Sequence, residues 1–551
     1  MLPVRKETLS MHTRDGVRLD ADVYRPESTE KFPILLMRQP YGRAIASTVV
    51  YAHPRWYAAQ GYIVVIQDVR GRGTSGGGFD LFTHEIEDGK DTLAWASQLP
   101  GTTGEVGMYG FSYQGMTQLY AAVSHPQALK VICPAMLASD LYHDWAYEGG
   151  AFCLQANLGW AIQLAAETDR LRGDEDTYLQ LYRASRNLPL GDAIPASPQI
   201  LKDLAPDSFY HDWLNHPQPG EYWDNLSPQK LLQNVDLPML HIGGWFDPYL
   251  RGTLNCYREM AAQATSPQHL IVGPWAHLPW GRKVGSKDYG KEAFSPVDDL
   301  QLRWFDYFLK GKDTGILAES PVRLFEMGSN SWRYLNKFPT GNQEVYYLAS
   351  NGLAAMREDA GKLMPNLAIE NSLCQDILVH DPWRPVPALG GHTSIPSGSF
   401  DRSSLDCRSD VLTYTSSPLG TDLYLAGEVA VELDCSADTP SFDLCAVLSE
   451  VYPDGRVYNF TQGYRRVDNP EIPVRINLQA TCIRIAKGNC LRLSLSAACF
   501  PAYPVNPGTG SLPGEARLME AKIITVTLNF SQENISRILL PLCISRDFEE
   551  N

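Results

Sequence analysis

Short apolar runs alternate with stretches of helical spacing along the first third of the chain. Residues 33–40 (PILLMRQP), 61–70 (GYIVVIQDVR) and 105–112 (EVGMYGFS) are rich in aliphatic side chains and carry few polar ones. Runs of this kind read as strands buried on both faces, the pattern of a parallel sheet. A helical stretch, EIEDGKDTLAWASQLP, separates the last two, and MTQLYAAVSHPQALKVICP reads as a helix followed by a further strand. The rhythm breaks between about residues 140 and 234, where Leu, Ala, Trp and Tyr recur at helical spacing without a clear strand. It resumes with LPMLHIGGWFD (237–247), the helical YLRGTLNCYREMAAQA and QHLIVGPWAH (268–277). The pattern predicts an α/β domain, residues 1–139 and 235–335, with a helical cap inserted at 140–234. From 336 to 551 the helical spacing disappears. Segments such as TDLYLAGEVAVELDCS (421–436), FDLCAVLSEVYPDGRVYNF (442–460), NCLRLSLSAACF (489–500) and AKIITVTLNF (521–530) alternate in polarity and are parted by Gly, Pro and Asp. They predict a C-terminal β-sandwich of the jelly-roll type.

Composition narrows the function classes. A chain of 551 residues is too long for one core, in keeping with several domains. A net charge of -16 argues against nucleic acid or an anionic membrane as partner. No run of about 18 apolar residues is present, so no membrane-spanning helix is expected. The N-terminal stretch MLPVRKETLSMHTRDGVRLDADVYRP lacks an apolar signal region, and a cytoplasmic protein is the expectation. Eleven cysteines, an odd number without C-x-x-C spacing, are expected to be reduced thiols rather than a disulfide framework.

The chemistry concentrates at GEVGMYGFSYQGMTQLYAA. Ser112 stands between an apolar strand and a helix, with Gly110 two residues before it and Gly115 three after. A serine hydroxyl is a weak nucleophile; it needs exposure, a base and donors for the oxyanion it creates. A sharp strand-to-helix turn supplies the exposure, and small neighbours let the backbone fold that tightly. The usual spelling is G-x-S-x-G, and here the second glycine comes one place late. In α/β-hydrolases an acid and then a histidine follow the serine in chain order. The strand MLHIGGWF ends at Asp247, and HLIVGPW is followed by His277. Of the other histidines beyond Asp247, His269 begins a strand, and His380 and His392 lie in the β-rich region. His277 is left by elimination.

These features resemble the cocaine esterase and X-Pro dipeptidyl peptidase (CocE/NonD) superfamily of α/β-hydrolases, in its cocaine-esterase-like branch. That family writes its elbow G-x-S-Y-x-G. Further matches are RDGVRLDADVYRP (14–26), RQPYGR (38–43), QDVRGRGTSGG (67–77), EGGAF (148–152), GGWFDPY (243–249), GPWAH (273–277), DGRVYNFTQGYRR (454–466) and FPAYPVNPGTG (500–510). They run collinearly over nearly the whole chain. The resemblance implies a hydrolase domain, a helical cap and a jelly roll. It implies Ser112 as nucleophile, His277 as base, Asp247 as its orienting acid, and an oxyanion hole made by the Tyr41 hydroxyl and the Tyr113 backbone N–H. It also implies Trp160 and Tyr249 as substrate-pocket walls, and aromatic walls suit an apolar or aromatic acyl group.

Other readings are weaker. Gly71 to Gly76 spells G-x-G-x-x-G after a strand, but GGFDLF follows rather than a long apolar helix, so no dinucleotide is expected. No metal motif is present, and no cofactor is expected. The expected activity is hydrolysis of a carboxylic ester through an acyl-enzyme. The alternatives are an amide or peptide hydrolase of the X-Pro dipeptidyl peptidase or α-amino-acid ester hydrolase type, and a binding protein on an inactive scaffold. The expected partner is a small-molecule ester or amide, with homodimerisation left open. In the α-amino-acid ester hydrolases that the family includes, some of the acids that hold the substrate's α-ammonium group follow closely after the triad aspartate; Pro248-Tyr249-Leu250 follows Asp247 here, so the resemblance implies a neutral acyl group. Glu148 and the Asp298-Asp299 pair are the acids whose placement bears on that point.

Overall fold

The structure is a computed structural model describing residues 2–44, 48–340, 342–366, 374–468, 472–530 and 535–543. A ten-stranded sheet organises the first part. Its strands are β1 (Val4–His12), β2 (Arg18–Pro26), β3 (Phe32–Gln39), β4 (Ile63–Asp68), β5 (Thr102–Phe111), β6 (Leu129–Ala135), β7 (Met239–Phe246), β8 (Gln268–Ala276), β9 (Val322–Glu326) and β10 (Ser331–Leu335). Their order across the sheet is β1-β2-β4-β3-β5-β6-β7-β8-β9-β10. From β4 to β9 all neighbours are parallel. The outer pairs β1–β2, β2–β4 and β9–β10 are antiparallel.

Helices on both faces explain the unbroken apolar strands. The helices are α1 (Pro54–Ala59), α2 (Glu85–Ala96), α3 (Tyr113–Val123), α4 (Leu154–Arg172), α5 (Glu175–Arg186), α6 (Gln199–Leu204), α7 (Phe209–Asn215), α8 (Glu221–Leu226), α9 (Leu250–Gln263) and α10 (Val297–Lys310). Successive residues of β3 enter opposite cores, because strand side chains alternate between faces. Ile34 and Leu36 join Leu93 of α2 and Met116 of α3. Leu35 and Met37 join Tyr57 of α1 and Trp304 of α10.

Helices α4 to α8 lie between β6 and β7 in the chain. The stretch that reads as strandless contains one minimal hairpin, Tyr147–Glu148 with Ala151–Phe152. The stretch after β4 is a turn and not the start of a helix: Gly71 N–H bonds Gly76 O at 2.8 Å, and α2 begins only at Glu85.

The C-terminal part is β-rich, with a nine-stranded sheet and a three-stranded sheet paired almost entirely antiparallel. Its longest strand, Val474–Ile485, reaches the hydrolase sheet. Met327 N–H bonds Cys482 O, and Arg484 N–H bonds Met327 O. Trp245, Phe246, Leu250 and Leu324 share one core with Leu478, Cys482 and Leu493. Among the described residues no helix is long and apolar enough to cross a membrane.

Candidate active site

Ser112 follows β5 and caps α3 with φ +61° and ψ −126°, a strained backbone for a residue with a side chain. Its N–H bonds Ala135 O at the end of β6, and its carbonyl accepts from Gly115 and Met116. The neighbouring glycines have separate reasons. Gly110 has φ +141°, and a Cβ there would lie 2.4 Å from Gln114 Cβ. A Cβ at residue 115 would lie 2.8 Å from Ala135 O. The late glycine is therefore the point where α3 rests on the end of β6. Gln114, at the place usually held by glycine, turns its Oε1 back to the Phe111 N–H at 3.3 Å.

Asp247 and His277 leave the ends of adjacent parallel strands, β7 and β8. The His277 ring Nδ1 and Asp247 Oδ1 are 2.7 Å apart. Asp247 is fully buried. Burial raises its pKa, while hydrogen bonding to His277 and the Tyr249 backbone works against the rise. The imidazole lies between the rings of Phe111, 5.3 Å away, and Tyr249, 5.0 Å away and edge-on. Phe111 directly precedes Ser112, so the three positions picked by chain order lie at the carboxyl edge of the same sheet, with the Ser112 side chain hydrogen-bonded to Tyr41. His269 is buried near the other end of β8.

Tyr41 sits in the turn after β3. Its N–H bonds Gln39 Oε1 at 2.7 Å, and the Gln39 amide is held by Asp68 at 2.8 Å. Burial pushes the Tyr41 hydroxyl up to about 12, with hydrogen bonding to Trp160 and Ser112 and the charge of Arg72 acting downward. Trp160 of α4 donates its indole N–H to the Tyr41 oxygen at 3.1 Å. The Tyr113 side chain points away from the site. Its hydroxyl donates to Glu85 at 2.7 Å, and Glu85 pairs with buried Arg38 at 2.6 Å. Only the Tyr113 backbone is at the elbow, at the first position of α3, where an N–H has no acceptor within its own helix.

The aromatic walls are contiguous. Trp145 lies 4.3 Å from Tyr249 and 5.1 Å from Trp160, ring to ring. Behind them is a cavity lined by Asp144, Trp145, Glu148, Cys153, Tyr249 and Arg251, among others. Its charges are matched internally. Arg251 Nε is 3.5 Å from Asp144 Oδ1, and its Nη2 is 4.0 Å from Glu148 Oε2. His392 and the Tyr503 hydroxyl, both from the β-rich part, reach Glu148 Oε2 at 2.8 and 2.7 Å. Burial alone would raise the Glu148 carboxyl; His392, Arg251 and Tyr503 outweigh it and hold the group down at about 2.

Asp298 is elsewhere, accepting from the Tyr57 hydroxyl and the Ala52 N–H. Asp144, Arg251 and His392 are not marked by any motif in the sequence, and Tyr503 lies in the FPAYPVNPGTG match without a role assigned to it there. Gln479 is a further unmarked residue; its amide bonds the carbonyls of Trp245 and Asp247, each at 3.0 Å. Among the described residues no three His, Cys, Asp or Glu side chains converge as a metal site.

The fold, with a serine elbow and an acid–histidine pair at strand ends, defines the α/β-hydrolase class. Residues 15–279 match the X-Pro dipeptidyl-peptidase (S15 family) model, and residues 314–534 match the X-Pro dipeptidyl-peptidase C-terminal non-catalytic domain. The chain is 30% identical to a cocaine esterase of Rhodococcus sp. (strain MB1 Bresler), over 96% of this chain and 97% of that one. An aminopeptidase from a marine sediment archaeon, Thaumarchaeota archaeon, superposes with a TM-score of 0.82 at 23% identity, covering 98% and 96% of the two chains. A CocE/NonD family hydrolase from Staphylococcus aureus superposes with a TM-score of 0.69 at 17% identity, covering 98% and 94%. The chain belongs to the CocE/NonD superfamily and is a serine hydrolase that acts on esters.

Proposed function

We propose that the protein hydrolyses carboxylic esters bearing a neutral, apolar or aromatic acyl group, through an acyl-enzyme on Ser112. The observation that carries this reading is the pair of buried Asp247 and partly exposed His277, 2.7 Å apart, at the same sheet edge as a serine held at φ +61°. Ser112 Oγ attacks the acyl carbonyl and gives its proton to His277. Asp247 fixes the imidazole orientation and stabilises its cation. The carbonyl oxygen becomes an oxyanion held by the Tyr41 hydroxyl and the Tyr113 N–H. The C–O bond to the leaving alcohol breaks, and the alkoxide takes the proton from His277. Water, deprotonated by the same histidine, then attacks the acyl-enzyme and releases the acid and Ser112.

The acyl preference rests on the aromatic walls and on charge balance. Asp144 and Glu148, the carboxylates at the cavity behind Tyr249, already face Arg251 and His392. A buried ammonium group from a substrate needs a carboxylate with no cation of its own. One observation favours an amino-acyl reading instead: Asp144 is buried and its Oδ1 has no hydrogen-bond partner. The kinship with S15-type peptidases and the fold shared with an aminopeptidase keep that second reading in view. A panel of benzoyl, phenylacetyl and phenylglycyl esters with an Xaa-Pro amide separates the two. A fluorophosphonate is expected to add one group per chain, on Ser112. Labelling at another serine, with Ser112→Ala still active, sinks the mechanism.

A further inference from the structure

The glycine-rich turn after β4 does not bind a nucleotide in the reading above, yet it places an unusual side chain. The turn is closed by its own backbone, with Arg72 N–H bonded to Val69 O and Ser75 N–H to Arg72 O. This closure sends Arg72 inward, where only 1% of it is exposed. The other buried arginines all have carboxylates. Arg25 faces Glu7, Arg38 faces Glu85, and Arg402 and Arg492 face Asp406. Among the described residues no carboxylate oxygen comes within 4.0 Å of Arg72. Its guanidinium lies over the Phe79 ring at 3.8 Å, Nη1 donates to Leu164 O at 3.0 Å, and Nε has no partner. Burial brings its pKa down to about 10, so it remains a cation at neutral pH. Glu167 of α4 acts on it only from beyond ion-pair distance and is itself paired with Arg170. A buried charge without a counter-ion in contact is costly, by several kcal/mol in typical proteins.

Its two neighbours lead to the oxyanion hole. Leu164 lies one helical turn after Trp160 on the same face of α4, and Trp160 donates to the Tyr41 hydroxyl at 3.1 Å. Phe79 lies 6.2 Å, ring to ring, from Tyr113, the other residue of the hole. We propose that Arg72 is a positioning residue of the oxyanion hole: it fixes α4 in the register that lets Trp160 hold Tyr41, and its unbalanced positive charge favours the anionic tetrahedral intermediate. This rests on the site assignment made under the proposed function. It also gives the G-x-G-x-x-G spelling a purpose, since the tight turn is what turns the guanidinium inward.

The test compares Arg72→Met, Arg72→Lys and Trp160→Phe with the wild type. Active sites are counted by fluorophosphonate titration. Each enzyme is assayed for kcat and KM on a p-nitrophenyl ester. Inhibition is measured with phenylboronic acid, which forms an anionic tetrahedral adduct on a serine, and with neutral phenylacetamide. Losing a direct oxyanion donor typically costs 10²–10³ in kcat, and a group that does not touch the oxygen contributes less. The expected result for Arg72→Met is a fall in kcat of at least about tenfold per titrated site. Its phenylboronic acid Ki should rise by a similar factor, with KM and phenylacetamide Ki within about twofold. Arg72→Lys should recover most of the loss. Unchanged kcat per titrated site overturns the proposal. So does a fall in kcat that leaves the boronate Ki unmoved and is not recovered by lysine, the mark of a merely structural role. If Arg72→Met does not fold, Trp160→Phe cuts the same link with Arg72 in place, and an unchanged kcat there overturns it equally. A wild-type protein that does not label at Ser112 refutes the site assignment instead, and the two failures stay distinct.

Discussion

Arg251 is the residue whose removal tests the acyl preference most directly. In Arg251→Met the side chain keeps much of its length and loses its charge. Asp144 Oδ1 then loses the cation 3.5 Å away, and Glu148 the one at 4.0 Å. Two unit charges 3.5 Å apart attract by about 5 kcal/mol at an effective dielectric constant near 20. The Arg251 side chain is 33% exposed, and a substrate ammonium will not occupy the guanidinium position with the same fit. Solvent screening and imperfect placement reduce the recoverable attraction to about 2 kcal/mol, or about thirtyfold in kcat/KM. The assay compares the methyl esters of phenylacetic acid and phenylglycine, at a pH where the amine is charged and per titrated Ser112. Wild type should favour the phenylacetyl ester by at least about tenfold, a difference of about 1.4 kcal/mol. Arg251→Met should shift the ratio about thirtyfold toward phenylglycyl, enough to reverse a tenfold preference, and Arg251→Lys should stay near wild type. Breaking a buried pair also destabilises, by about 3–5 kcal/mol in comparable cases, so the comparison belongs well below the melting temperature. An unchanged ratio in a correctly folded Arg251→Met refutes the argument, because the carboxylates then do not reach the acyl α-position. A wild type that prefers phenylglycyl refutes the neutral-acyl reading itself.

Three further outcomes are expected. Tyr41→Phe should lower kcat by about 10²–10³ with little change in KM, and an unchanged kcat removes Tyr41 from the oxyanion hole. Glu148, held at about 2 in the folded chain against an ordinary value of about 4.3, contributes stability that is complete above about pH 5. That stability is lost as pH falls from there toward 2. The melting temperatures of wild type and Glu148→Gln should therefore differ at pH 7 and converge as pH drops, whereas a gap that widens in acid contradicts the pairing. A chain ending at residue 335 loses Gln479, His392 and Tyr503 together with most of the core around Trp245, and should be insoluble or inactive; a stable, active fragment refutes that dependence.

The parts legible in the sequence are those that local physics dictates. Strands β3 to β8 are buried on both faces, which forces apolar runs at any register. The Ser112 elbow needs Gly110 and Gly115 for close approach, and that need is written within six residues. Asp247 and His277 follow from chain order, because a parallel sheet puts successive strand ends on one edge. The remainder depends on contacts that no local pattern encodes. Glu148 and His392 meet across 244 positions, and His392 sits on a loop with no period. Gln479 belongs to Val474–Ile485, whose alternation looks like that of any sandwich strand, although it grips the Asp247 loop. Counting acids after Asp247 could not find Asp144, which lies more than a hundred residues earlier and meets Arg251 only in the fold.

This division has a consequence for how such an enzyme can change its substrate. In the proposed mechanism Ser112, Asp247 and His277 stand at strand ends of one sheet, so the attack geometry depends on that sheet. The surfaces proposed to meet the acyl group come from other places: Trp145 and Asp144 from the turn after β6, Trp160 from α4, Arg251 from the first turn of α9, with His392 and Tyr503 supporting them from the β-rich part. None of these is a strand residue of the sheet, although Trp160 also holds Tyr41 and so is the least free to vary. Their polar groups, however, are paired with one another: Arg251 stands between Asp144 and Glu148, and His392 and Tyr503 bond Glu148. Replacing a single member leaves a buried carboxylate or cation uncompensated, which is destabilising unless the substrate itself supplies the missing charge. Acyl specificity in this chain is therefore expected to change by exchanging charge between protein and substrate, with the hydrolytic machinery left as it stands.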